Sequence, residues 1–152
     1  MRHLGEPSDC KSILERLGTL KPDARPLWGR MTPNGMLCHL SDSFRLPLGE
    51  RSASMSTGFY QRTIMKWGAL YLVSRWPQNV PTRPEMEQGV GGSAPVGFES
   101  DRVQLIRLIE RFTEPSRRFE GRLHPMFGEL TPRQWMRWGY LHADHHLRQF
   151  GV

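Results

Sequence analysis

A chain of 152 residues that is 38% hydrophobic, with mean hydropathy −0.55, has the length of one domain and can fold without a disulfide framework or structural metal. Two cysteines, Cys10 and Cys38, exclude a secreted disulfide scaffold. The longest apolar run, 67–73, is far too short for a bilayer span, and the start MRHLGEPSDC has no signal-peptide core, so a soluble, cytoplasmic protein is expected.

The net charge of +6 comes from 21 Lys and Arg against 15 Asp and Glu. The arginines are scattered from Arg2 to Arg148 without a basic stripe, which argues against a nucleic-acid partner. In chain order, Ile13, Leu14, Leu17 and Leu20 predict a helix near 8–20. Met36, Leu37, Leu40 and Phe44 predict a second near 33–46. Tyr60, Ile64, Trp67 and Tyr71, spaced four, three and four, predict a third near 57–75, with that stripe facing the core. The stretch 76–98 holds Pro77, Pro81, Pro84, Pro95 and Gly89, Gly91, Gly92, Gly97. That density predicts a long crossover without regular structure. It lacks the spacing of a dinucleotide fingerprint and the Lys of a phosphate loop.

Leu105, Leu108, Ile109 and Phe112 predict a helix near 100–114. The last helix, near 131–149, opens with Thr131-Pro132-Arg133-Gln134. This is a capping box with Pro at the first helical position, and Gly151 follows the far end. No segment alternates long enough to predict a strand. The expectation is one all-α domain over 1–152, about five helices arranged as a bundle with a long crossover.

Six histidines are present, three of them in Leu141-His142-Ala143-Asp144-His145-His146. Helical residues four apart share a face, so His142 and His146 can chelate one ion, whereas His145 is rotated about 100° from His146. The same face carries Trp135, Trp138 and Gly139, a stripe that should point inward, as core first and a substrate wall second. Two inward imidazoles are costly without partners, and a metal supplies one partner per ring. No Glu follows His142, so this is not the zincin motif. A third ligand should come from another helix. His39 sits among core residues of the second helix; His124, before Pro125, and His3, near the N-terminus, are the other choices. Cys38 is read as a small buried hydrophobe.

These residues resemble the DinB superfamily of metal-binding helical bundles. The resemblance lies in His39 and in His142-Ala143-Asp144-His145-His146-Leu147-Arg148-Gln149. The stretches Trp28-Gly29-Arg30-Met31-Thr32-Pro33 and His124-Pro125-Met126-Phe127-Gly128-Glu129-Leu130-Thr131 are similar to a bacterial branch of it without an assigned function. The similarity covers most of the chain and is densest at 28–45 and 124–150. It implies a four-helix bundle core, homodimers, and His39, His142 and His146 on one divalent ion. Relatives include transferases and isomerases that use low-molecular-weight thiols, and proteins labelled metal-dependent hydrolases.

Three imidazoles leave a coordination position open, the pattern of a catalytic site. Zinc or nickel are the simplest occupants. Either water or a thiol at the open position would gain nucleophilicity at neutral pH. With such a site, the resemblance implies a metal-dependent thiol transferase or hydrolase acting on a small molecule, with thiol transfer favoured by the resemblance alone. Asp42, one turn beyond His39, is the candidate catalytic base or supporting carboxylate. Asp144 is expected to face away from the metal. The rival reading is a non-catalytic metal-binding or partner-binding bundle.

Overall fold

The computed structural model describes residues 1–55, 58–78, 84–87 and 90–152. It is mostly helical. Helix α1 spans Pro7–Thr19, α2 Pro33–Leu48, α3 Phe98–Thr113 and α4 Pro132–Gln149. Among the described residues no helix is long and apolar enough to cross a membrane.

Three of the four helices open on a proline, whose fixed φ suits the first turn and whose missing N–H would have had no helical partner. In α2 the Thr32 side chain accepts from the Gly35 N–H at 3.0 Å. In α4 the capping box forms in both directions. The Gln134 N–H donates to Thr131 Oγ1 at 3.2 Å, and the Thr131 N–H donates to Gln134 Oε1 at 2.9 Å. In α3 the work falls to Asp101, whose Oδ2 accepts from the Val96 and Gly97 N–H groups at 3.0 and 3.1 Å.

Helix α2 runs two residues beyond the predicted end, through Pro47, and stops at Gly49 in the left-handed region (φ +80°). It is buried on nearly all sides and packs against α3, α4, the Pro84–Met86 turn and a small hairpin. Helix α4 packs against α1 and α2. The Asp144 carboxylate fastens α4 to α1 through Arg16 at 2.8 Å and also meets Arg148 at 2.8 Å. The centre of the core is aromatic: Phe44 meets Phe112 edge-on at 5.1 Å, and Trp135 and Trp138 stand perpendicular at 5.4 Å. Each such ring contributes about 1.5–3 kcal/mol by burial.

Three expectations are corrected. First, a two-stranded antiparallel hairpin, β1 Leu123–His124 and β2 Gly128–Glu129, occurs where no strand was predicted. Two residues per strand are too few to show a period of two. Second, the crossover holds one tight helical turn, Pro84–Met86, which buries the Met86 side chain. Pro81 and Gly89 of that crossover lie outside the described residues. Third, the segment predicted as the third helix is helical over 59–72, but with wide turns over Gln61–Met65 and Gly68–Leu72. Thr57 of that prediction lies outside the described residues. Its apolar stripe does not face inward: Tyr60 is 57%, Ile64 64% and Trp67 57% exposed, while Leu70 is 0% exposed. Wide turns shift the angle between residues three and four apart, so the 4-3-4 spacing no longer marks the packed side. Arg137 of α4 also reaches this segment, donating to the carbonyls of Leu70 at 3.1 Å and Val73 at 3.3 Å.

Candidate metal centre

Helices α2 and α4 bring His39, His142 and His146 together. His39 Nε2 and His142 Nε2 are 3.1 Å apart. One nitrogen from each of the three rings lies within 4.8 Å of the other two. The ring centroids stand 5.1 Å apart for His39–His142, 4.7 Å for His39–His146 and 5.1 Å for His142–His146. The i, i+4 relation on α4 stacks two of the rings, and α2 lies close enough to supply the third.

The outer nitrogens are held from behind. His39 Nδ1–H donates to the Met86 carbonyl at 3.0 Å. His146 Nδ1–H donates to Gln149 Oε1 at 3.0 Å. Each bond fixes the tautomer that leaves Nε2 unprotonated and turned toward the cluster. Gln149 is itself oriented, because its Nε2 donates to the Trp28 carbonyl at 2.9 Å. Gly29, next to Trp28, has φ +74°, and a Cβ there would stand 2.9 Å from Gln149 Nε2. His142 Nδ1 is buried and has no hydrogen-bond partner among the described residues.

The donor set suits a divalent cation. An ion that binds imidazole nitrogens at about 2.0–2.1 Å in tetrahedral geometry separates them by roughly 3.3 Å. The His39–His142 pair is already near that separation. Burial pushes all three imidazoles below the usual histidine range. For His142 the neighbouring His146 and His39 add to burial, and for His146 the neighbouring His39 does so. The neutral imidazole so favoured is the form that binds a metal. No fourth His, Cys, Asp or Glu joins the group among the described residues.

The other sequence candidates fall elsewhere. His145 is not in the cluster; it meets Trp28 edge-on at 5.6 Å and His146 edge-on at 5.1 Å. His124 sits in the hairpin, stacks on Phe127 at 4.5 Å and accepts at Nδ1 from the Met126 and Phe127 N–H groups, both at 3.1 Å. His3 lies outside the group. Cys38 is buried, burial pushes its thiol up to about 11, and it does not join the group. Asp144 is spent on Arg16 and Arg148, away from the cluster.

Asp42 is fully buried, and both its oxygens are engaged. Oδ1 accepts from Arg45 and Arg51 at 2.9 Å each and from Ser93 Oγ at 2.7 Å, while Oδ2 accepts from the Ser93 N–H at 2.7 Å. This geometry gives Asp42 an anchoring role rather than a free lone pair for proton transfer.

The walls of the site are aromatic. Trp138 packs at 5.2 Å from His142, and Trp76 at 5.6 Å from the same ring. Trp76 Nε1–H donates to the Ala69 carbonyl at 2.9 Å, so the 59–72 segment sets its orientation. Trp135 is core, without a ring contact to the three histidines among the described pairs. Sequence reasoning missed Trp76, Trp28, the Met86 carbonyl and the service of Gln149 to His146. Only the last had a signal, an amide three residues beyond a histidine on the same helix face.

The fold and site together define a mostly helical protein with a three-histidine cluster between two helices, two of the rings buried and the third half-buried. A family model described as "Protein of unknown function (DUF1569)" matches residues 34–151, and the chain belongs to that family. The match contains all three histidines. No curated protein and no solved structure matches the chain.

Proposed function

We propose that this chain is a metal-dependent enzyme of the DinB-like superfamily, a thiol-dependent transferase or a hydrolase acting on a small molecule in the cytoplasm. The observation that carries the reading is the convergence of three imidazoles, His39 and His146 buried and His142 half-buried, two of them fixed from behind by Met86 and Gln149. The proposal extends to architecture. It takes α1 to α4 as the four-helix bundle core of that superfamily, supported by the packing of α2 on α3, α1 on α4 and α2 on α4. It also takes the protein as a homodimer, supported by the exposed apolar residues of the 59–72 segment.

His39, His142 and His146 would hold a zinc or nickel ion. Such an ion supplies a Lewis acid that lowers the pKa of a water or low-molecular-weight thiol at the open position. The chain does the rest. Met86 and Gln149 keep the imidazoles aimed, Trp138 closes the inner side, and Trp76 offers a flat apolar surface beside His142 for substrate. One observation favours the non-catalytic rival: Asp42, the carboxylate nearest His39 on α2, is consumed by Arg45, Arg51 and Ser93.

Elemental analysis of protein purified without a polyhistidine tag tests the reading. The expected result is about one zinc or nickel per chain. Loss of any one of His39, His142 or His146 to Ala should abolish stoichiometric binding, while His145→Ala should retain it. Turnover with a thiol and an electrophile, or with an ester or amide, should follow the metal. Binding that survives His142→Ala would sink the ligand assignment. Metal without turnover across those substrate classes would favour the rival.

A further inference from the structure

We propose that Arg51 is a positioning residue of the metal centre: it clamps residues 84–87 and 90–93 onto α2 so that the Met86 carbonyl meets His39. The inference rests on the metal-site reading of His39. The left-handed turn at Gly49 reverses the chain at the end of α2, and the Glu50 N–H returns to the Arg45 carbonyl at 2.9 Å. Arg51 is thereby brought back alongside Asp42. Its Nη1–H donates to Asp42 Oδ1 at 2.9 Å and to Ser93 Oγ at 3.2 Å. Its Nη2–H groups donate to the Glu85 carbonyl at 2.7 Å and to the Gly91 carbonyl. One guanidinium thus joins α2 to Glu85, Gly91 and Ser93.

The next carbonyl after Glu85 is that of Met86, which accepts from His39 Nδ1–H at 3.0 Å. Among the described residues around Met86 the Pro84–Met86 turn is three residues long, too short to fix its carbonyls by itself. Here a buried carboxylate and a forked cation supply that fixity. Ser93 closes the other side by donating twice to Asp42. A lysine could keep the charge but not the fork, since an ammonium cannot span Asp42 and two carbonyls in one plane. Asp42 keeps Arg45 and Ser93 when Arg51 is changed, so the carboxylate is not stranded.

Two measurements on the full chain test this. In metal-free protein with ¹⁵N-labelled histidine, His39 is expected as the Nδ1–H tautomer, and Arg51→Ala should give a mixture of tautomers. In cobalt(II) titrations Arg51→Ala should bind about 10–100-fold more weakly, with a changed visible spectrum, the usual effect of losing a partner behind a ligand. Arg51→Lys should fall between, and Arg133→Ala, on the exposed face of α4, should match the parent. If Arg51→Ala does not fold, Arg51→Lys and Ser93→Ala carry the same comparison. An Arg51→Ala protein with the parent's His39 tautomer and cobalt affinity would overturn the clamp. A parent that binds no cobalt would overturn the metal reading instead, and the tautomer result would then decide the clamp alone.

Discussion

Three imidazoles that the fold keeps neutral set a direction for the effect of pH. Burial lowers the protonation of His39, His142 and His146 in the folded chain, and His145 shifts the same way. The unfolded chain takes up protons below about pH 6.5, whereas the folded chain resists them. Stability is therefore full above that pH and is lost as pH falls, by up to about 1.4 kcal/mol per unit for each such histidine. For metal-free protein, the urea midpoint should stay level from pH 7.5 toward 6.5 and fall from there to pH 5.5. A flat or rising midpoint would contradict the buried cluster. The histidines themselves were legible because four-residue spacing and Trp-rich neighbours mark an inward face. Their partners were not. A backbone carbonyl such as that of Met86 has no side-chain signature, and Arg51 reads as one more surface arginine until Asp42 is seen to be buried.

Helix ends carry the strongest signals at the scale of elements. Thr131, Pro132 and Gln134 announced the start of α4, and the same logic in Thr32 and Pro33 marks the start of α2. Thr131→Ala should cost about 1 kcal/mol in urea unfolding, because two helix-start N–H groups lose their arrangement. Metal affinity should not change, since His142 lies about three turns further along α4. An unchanged urea midpoint would mean that the cap is dispensable. The 59–72 segment shows where periodicity fails. Its stripe of Tyr60, Ile64, Trp67 and Tyr71 was real in sequence, but in the fold it is Leu70 that enters the core while Tyr60, Ile64 and Trp67 stay exposed. The segment therefore covers the outside, inserting Leu70 and steering Trp76. A hairpin of two-residue strands lies below what any pattern can reveal.

For the molecule as a whole, that segment leaves Phe59, Tyr60, Ile64, Trp67 and Leu72 each more than half exposed. Exposed apolar patches of this kind mark interaction surfaces. The proposed second copy makes a direct expectation: light scattering should give twice the chain mass, and Ile64→Glu with Trp67→Glu should return the monomer mass without changing the helical content. Monomer at high micromolar concentration in the parent would remove the dimer.

The route of the chain between the histidines has a further consequence. His39 and His142 are 103 residues apart in sequence, so their site exists only when α2 and α4 have docked. An ion held there ties a loop of that length, as a disulfide would, but reversibly. If the proposed ion binds the folded chain and not the unfolded one, free metal at 100 times its dissociation constant would add about 2.7 kcal/mol of stability. The melting temperature would then become a gauge of metal supply, and a chelator would lower it by an amount set by the concentration of free ion rather than by solvent quality.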